Sequence, residues 1–272
     1  MKVAVTGAAG FVGRHVCKVL QKEGHHVVGL DAVMGGIDWA NWIEADITKP
    51  LDKIDDLDAV IHLAALSHPK QCDADPAKAF SVNVGGTHNV LKMALESGAR
   101  KVVFASSAHT YDIPPKYLPT DEVHPLRLNN TYTTTKIMGE ELCRLYWENH
   151  GLSYTMLRLF NAYGVGQQLG YLIPDLISKA QKGKIELQGS NVTKDWVYIS
   201  DVADAFVRAL NTAFVGAINV GTGVETDLAT IAQSVAWAYE AELYTYPVAN
   251  PTRMCADRRR AERILGWTPK VS

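Results

Sequence analysis

Tyr132 and Lys136 stand four residues apart in the run Tyr-Thr-Thr-Thr-Lys, and Phe104-Ala105-Ser106-Ser107-Ala108 precedes them in the chain. Residues four apart share one face of a helix, so the lysine ammonium can sit beneath the phenol and favour its anion. An unperturbed tyrosine titrates near ~10, and serving as a base near neutrality takes roughly three units, about 4 kcal/mol. One cation at ~4 Å in an effective dielectric of ~20 supplies about that much. Such a tyrosine can move a proton while a neighbouring carbon gives up a hydride. Alone the spacing says little, because Tyr and Lys four apart are common on solvated helix faces. Its weight comes from the other end of the chain.

The first thirty-one residues read as strand, glycine turn, helix, strand. Lys2-Val3-Ala4-Val5-Thr6 is apolar, Gly7-Ala8-Ala9-Gly10-Phe11-Val12-Gly13 follows at once, and a helical stretch runs through Leu20. Val27-Val28-Gly29-Leu30 forms a second strand that ends on Asp31. A glycine turn between strand and helix lets backbone approach a pyrophosphate, whose charge the helix N-terminus favours. The pattern is Gly-x-x-Gly-x-x-Gly, with Ala9 where the usual fingerprint has its second glycine. The competing reading is a tight strand-to-helix turn that binds nothing, but the context and Asp31 both fit a dinucleotide. An acid at the end of the second strand accepts hydrogen bonds from ribose hydroxyls and repels a 2′-phosphate. Residues 32 to 37 contain no Arg or Lys to compensate. The expected cofactor is therefore NAD rather than NADP.

These groups must be held by a sizeable fold. The 272 residues can bury a large core as one domain or two closely joined ones. A net charge of −2 without basic clustering gives no nucleic-acid footprint. No apolar run reaches membrane-spanning length, and the N-terminus reads as a strand rather than a signal peptide. Cys17, Cys72, Cys143 and Cys255 show no paired spacing, which predicts a reduced, cytoplasmic protein. The nine histidines form no His-x-x-x-His cluster, so no metal site is expected.

Strand and helix patterns alternate along the chain. Asp58 to Ala65 is a buried-strand run, and Asp75-Pro76 opens a helix expected to reach about Ser97. Lys101 to Ser107 is the next strand, the helix carrying Tyr132 and Lys136 runs to about Asn149, and Tyr154 to Phe160 is a further strand. The alternation predicts a Rossmann-like doubly wound parallel sheet in an α/β fold. After Gly164 the pattern changes: a helix from Leu172 to Lys182, a strand near Ile185 to Leu187 and a helix from Asp227 read as a smaller, mixed α/β substrate-binding part. Residues 1–166 are expected to form the NAD-binding domain, with 191–220 returning to it. The substrate-binding part then comprises 167–190 and 221–272.

With these segments assembled, the chain resembles the extended short-chain dehydrogenase/reductase family, in particular its nucleotide-sugar epimerases and dehydratases. The resemblance is carried by the glycine turn from Thr6 to Gly13, Ala45-Asp46-Ile47, His62-Leu63-Ala64-Ala65, Asn83-Val84-Gly85-Gly86-Thr87 and Phe104-Ala105-Ser106-Ser107. Further on it rests on Tyr132 with Lys136, Arg158 to Gly164, Asp195 to Val202, Asn219 to Gly223 and Leu265-Gly266-Trp267-Thr268-Pro269. It implies that Phe11 and Val12 offer backbone to the pyrophosphate, that Asp46 and Ile47 flank the adenine, and that Leu63, Ala64 and Ala65 line the cofactor cleft. Asn83 and Phe160 would also reach the cofactor. For Leu63 and Phe160 plain core packing is the competing role, and for Asn83 capping or buttressing its helix. Ser107 would hydrogen-bond the reacting sugar hydroxyl beside Tyr132, and Lys136 would bind the nicotinamide ribose. Asn161, Lys194 and Arg253 would meet the sugar-nucleotide substrate. A homodimer, formed by pairing the helices at about 76–97 and 132–149, is a further implication.

The departures from the family pattern carry information. Lys194 stands where the family usually has arginine, replacing a bidentate contact by a point charge. The stretch before Arg253 is shorter than in most members. The chain ends at Val271-Ser272, where members usually continue with a further helix, which marks a compact variant or a fragment. The family's dehydratases carry an Asp-Glu pair after the position of Ser107, and here Ala108 and His109 stand there. Alanine donates no proton, so elimination of water lacks its acid, and His109 reads more readily as a polar structural residue than as a replacement. The expected reaction is NAD-dependent epimerisation of a nucleotide sugar, at C4 of a UDP-hexose. A dehydrogenase or reductase that releases its reduced cofactor, and a non-catalytic NAD-sensing protein, are the alternatives.

Overall fold

The computed structural model describes residues 1–33 and 41–271. Met34 to Ile37, part of the stretch whose lack of basic residues argues for NAD, lie outside the described residues. In chain order the elements are β1 (Lys2–Thr6), α1 (Phe11–Lys22), β2 (His26–Asp31), β3 (Trp42–Glu44), β4 (Ala59–His62), α2 (Pro69–Ala74), α3 (Pro76–Phe80), α4 (Gly86–Glu96), β5 (Lys101–Ser107), α5 (Thr131–His150) and β6 (Ser153–Leu159). There follow β7 (Asn161–Tyr163), α6 (Leu172–Ala180), β8 (Lys184–Gln188), β9 (Thr193–Tyr198), α7 (Ile199–Leu210), β10 (Gly216–Val220), β11 (Glu225–Asp227), α8 (Leu228–Tyr239), β12 (Glu242–Tyr246) and α9 (Arg259–Leu265).

Seven strands form one sheet in the order β10-β6-β5-β4-β1-β2-β3, with every neighbouring pair parallel. A parallel sheet is covered on both faces, so its strands read as unbroken apolar runs. Val3, Ala4, Val5, Val60, Ile61, Val102 and Val103 accordingly have no exposed surface. Helices α1, α7 and α9 cover one face, with Phe206 and Trp267 in the core beneath them. On the other face lie α4 and α5, with Leu91, Met93 and Phe104 buried under them. Strand order reverses between β1 and β4, and ligands of such sheets bind outside the strand carboxyl ends at that reversal.

Local chemistry sets the helix ends. Asn130 caps α5 by accepting from Thr133 N at 2.9 Å, Thr133 Oγ1 accepts from Asn130 N at 3.1 Å, and Gly151 closes the helix at φ 71°. The Asp75 side chain accepts from Lys78 N at 3.0 Å, with Pro76 in the first turn. The helical run from there to Glu96 is not uniform. Ser81–Gly85 form a π-helical turn between α3 and α4, a feature that no sequence period announces.

The smaller part consists of a three-stranded sheet, β11-β9-β7, and the pair β12-β8. Leu176, Ile185, Leu187, Leu228 and Ala232 make a separate core there. Strands β3, β7 and β11 are three residues long, too short to show a period in the sequence. Helix α9 and Trp267 pack on α7 and β10, against the large sheet.

Candidate active site

The carboxyl ends of β1, β2, β4, β5 and β6 open into one cavity of about 1220 Å³. Its first wall is the glycine turn. Gly7 adopts φ +69°, and a Cβ there would sit 2.7 Å from Ala64 N, while a Cβ on Gly13 would sit 2.1 Å from Gly7 O. Both glycines are required by the close approach of β1, α1 and the loop after β4, and the turn backbone stays bare. Helix α1 starts with no side-chain cap and no acid in its first turn. Phe11, Val12 and Gly13 carry N–H groups that no intrahelical carbonyl can reach, and all three line the cavity beside Gly10. A helix start of this kind could hold a pyrophosphate. The Asp31 carboxylate accepts from Ala9 N at 3.0 Å, which fixes the turn, and it faces the same cavity. Asp46 and Ile47 line this end too. The N–H and hydroxyl of Thr48 bond Asp46 at 2.9 and 2.8 Å and lower its pKa. Leu63, Ala64 and Ala65 form the floor. A bare glycine cradle, an uncapped helix start and an acid at the second strand's end fit a dinucleotide.

Ser107, Tyr132, Phe160 and Asn161 line the opposite end. Ser107 closes β5 and Tyr132 lies in the first turn of α5, so strand and capped helix jointly place them. Burial pushes the Tyr132 phenol up to about 12, opposed by a hydrogen bond from Ser107. Lys136 behaves differently from the simple spacing argument. Its Nζ donates to Ala105 O at 2.9 Å and lies 5.1 Å from the Phe104 ring centre, behind the wall rather than on the phenol. Burial lowers its pKa to about 8. Four-residue spacing brings the two onto one helix face, but the extended lysine chain finds a carbonyl first. The expected lowering of the tyrosine is therefore not made by this arrangement of Lys136.

Asn83 also stands behind the wall. Its amide accepts from Leu66 N at 2.8 Å and donates to Leu66 O at 3.0 Å and Thr135 Oγ1 at 2.9 Å. These contacts match the buttressing role. Phe160 is at once core, beside Ala108 and Tyr111, and cavity wall. Asn161 and Lys194 come together from neighbouring strands, with Asn161 Nδ2 donating to Asp195 O at 3.0 Å. Burial lowers the Lys194 pKa. Beside them Trp196 lines the cavity, and its indole N–H is buried with no hydrogen-bond partner among the described residues. His109 lines the same end, and burial, then the Lys194 charge, lowers it to about 4, so its imidazole is neutral near pH 7. Arg253 is not brought to this cavity. It is exposed and paired with Glu225, its Nε donating to Glu225 Oε1 at 2.9 Å.

Sequence reading missed one bank of the cavity. Residues 164–171 cross its mouth, held by His15 Nε2 to Val165 O at 3.1 Å, Ser67 Oγ to Tyr171 Oη at 3.0 Å and His68 Nε2 to Gly170 O at 3.1 Å. Only its glycines hinted at an ordered loop, and its partners lie a hundred or more residues away in sequence.

Known proteins place the chain without ambiguity. The profile of the NAD dependent epimerase/dehydratase family matches residues 3–221. The chain belongs to that family. Over 299 residues it is 33% identical to a UDP-glucose 4-epimerase of Mycolicibacterium smegmatis, covering 100% of this chain and 95% of the relative. The UDP-glucose 4-epimerase of Brucella ovis, solved in complex with NAD, superposes with a TM-score of 0.90 at 29% identity, covering 100% of this chain and 94% of that one. The UDP-glucose 4-epimerase of Thermotoga maritima, solved with UDP-glucose, does so at 0.90 and 26%, again covering 100% and 94%.

Proposed function

We propose that this protein is an NAD-dependent epimerase that inverts C4 of a UDP-hexose. One observation carries the reading: a single cavity holds a dinucleotide cradle at one end and Ser107 with Tyr132 at the other, with Ala108 and a neutral His109 where an eliminating enzyme needs an acid. The similar enzymes named for UDP-glucose support the substrate class.

Phe11, Val12 and Gly13 hold the cofactor's pyrophosphate and Asp31 its adenosine ribose. When bound, NAD supplies the acceptor for a hydride and, on return, its donor. Lys194, Asn161 and the Trp196 N–H hold the substrate diphosphate, leaving the sugar anchored at one end so that it can turn. Ser107 orients the sugar hydroxyl on Tyr132. At neutral pH the buried phenol is protonated, the form that donates to a keto oxygen. To accept a proton from a hydroxyl, Tyr132 requires the Lys136 charge turned from Ala105 O towards the phenol.

A UDP-hexose carrying deuterium at C4 tests the proposal. Retained label in the epimer, with no reduced cofactor in solution, is the expected result. Stoichiometric release of NADH would identify a dehydrogenase, and a stable 4-keto-6-deoxy sugar would identify a dehydratase.

Two broader readings accompany it. Met138 and Leu145, seven residues apart and so on one side of α5, are exposed apolar residues that support a homodimer through α4 and α5. Light scattering at micromolar concentration would show it. Four free, buried cysteines support a reducing, cytoplasmic setting, and no helix among the described residues is long and apolar enough to cross a membrane.

A further inference from the structure

His62, the last residue of β4, is buried and lines no part of the cavity. The reaction does not use it. Its surroundings are nevertheless built from polar side chains alone on both ring nitrogens. Nδ1 lies 2.7 Å from Thr6 Oγ1, and Nε2 lies 3.0 Å from Thr87 Oγ1. Thr6 is the residue before the glycine turn, and Thr87 sits in the first turn of α4, just after the π-helical turn.

Counting protons fixes the direction of every bond. Thr6 Oγ1 accepts from Ala64 N at 3.2 Å and shares the Leu63 N–H with Thr6 O, 3.2 Å from each, and the acceptor its own hydrogen finds among the described residues is His62 Nδ1. The ring is neutral, burial first and the Lys136 charge second lowering it to about 3, so Nε2 carries the proton and donates to Thr87 Oγ1. The Thr87 hydroxyl donates in turn to Asn83 O at 2.6 Å. From Asn83 the chain continues through the side chain, which clamps both backbone groups of Leu66 and donates to Thr135 Oγ1 at 2.9 Å. Thr135 donates to Tyr132 O at 2.8 Å. Thr6, His62, Thr87, Asn83 and Thr135 are all buried, and no donor among these side chains lacks an acceptor.

We propose that His62 is a positioning residue for Tyr132, the centre of a proton-ordered relay joining the strand that ends in the glycine turn to the first turn of α5. The relay spans β1, β4, the π-helical turn and α5, the elements that must keep a fixed distance if Tyr132 is to meet a carbon over the cofactor cradle. The π-helical turn has a place in this scheme: it contains Asn83, whose carbonyl takes the Thr87 hydroxyl while its amide faces Leu66 and Thr135. Protonated His62 is incompatible with the relay, because Nδ1–H would face the Thr6 hydroxyl and leave that hydroxyl's hydrogen without its acceptor. Only the turnover part of the test rests on the epimerase reading.

His62→Phe keeps a ring against Phe104, 5.6 Å away between centres, and removes both nitrogens. It should lower kcat by about 10- to 100-fold, the cost of a misplacement near 1 Å. NAD affinity should stay within about threefold, because Thr6 still holds Leu63 and Ala64. His62→Gln, whose amide can again donate to Thr87, should recover part of kcat. Unchanged kcat in His62→Phe, or no recovery in a folded His62→Gln, would overturn the assignment. Independently of any substrate, nitrogen NMR of histidine-labelled wild type should show Nδ1 bare and Nε2 protonated for His62. That pattern should hold between about pH 5 and 8, with the variants assigning the signal. The opposite tautomer, or titration in that range, would refute the relay even if the protein turned out to act on no nucleotide sugar.

Discussion

The two halves of the cavity are made of different material. At the cofactor end the wall is backbone: Gly7 and Gly13 leave no room for one extra carbon, and the helix start offers N–H groups rather than side chains. The end beside Ser107 and Tyr132, proposed to take the substrate, is made of side chains, Asn161, Lys194, Trp196 and His109, projected from two strands and a turn. Backbone walls follow from residue type at fixed short spacing. Side-chain walls depend on which distant segments meet. The first half can thus be nearly invariant in shape, while the second is free to be retuned for another sugar.

The largest effect is expected at the seam between the halves. Tyr132→Phe keeps the ring and the packing against Cys72 and Ala79 and loses only the hydroxyl. It should cut turnover by about 10²- to 10⁴-fold with NAD binding nearly unchanged, as rapid-mix assays and calorimetry would show. Near wild-type turnover would remove Tyr132 from the chemistry.

On the backbone side, one methyl group should be enough. Gly13→Ala places a Cβ against Gly7 O and Ala8, and should cost about 1–3 kcal/mol of stability together with most NAD affinity. Denaturant melts and titration with NAD check both. A variant that binds NAD normally would show that the cradle can flex.

On the side-chain side, deleting a whole residue should be milder. Lys194→Ala removes a charged contact of about 1.5–3 kcal/mol, a rise in KM of roughly 10- to 100-fold with kcat less affected. Arg253→Ala is the control, since an exposed pair is worth about 0–1 kcal/mol and the cavity does not include it. If Arg253→Ala raised KM as much as Lys194→Ala, the border of the substrate half would have to be redrawn.

Acid gives a test that needs no substrate. His62 and His109 are lowered on folding to about 3 and about 4, below the ordinary imidazole value of about 6.5 that an unfolded chain approaches. Between those values the unfolded chain binds the extra protons, so their contribution is full above about 6.5 and is lost as pH falls towards about 4 for His109 and about 3 for His62. Thermal melts should fall over that window, less steeply in His109→Gln. A slope unchanged in that variant would mean that His109 is not buried neutral.

The same contrast explains what could be read from the chain alone. The parallel, doubly wound character of the large sheet, the glycine turn, Asp31, the strand ending at Ser107 and the helix carrying Tyr132 were legible because each rests on an apolar run, a cap or a fixed spacing. Strand β5 and helix α5 lie within a residue or so of their expected bounds. Strands of three residues carried no period, and the π-helical turn interrupts a helix whose composition gives no warning. The direction of the Lys136 side chain depended on the Ala105 carbonyl, which sequence spacing does not place. Arg253 was attached to the substrate through family likeness, and Glu225 was not in view.

The loop from 164 to 171 has a kinetic consequence. Its hydrogen bonds to His15, Ser67 and His68 latch it to the cofactor bank, and its Gln167, Gln168, Gly170 and Tyr171 line the cavity. An epimerase makes a ketone that is worth nothing to the cell if it escapes before it is reduced again. What matters is then a competition between two clocks, the return of hydride and the opening of the latch. A loop that opens slowly limits how fast product departs, and by the same delay it commits each ketone to completion.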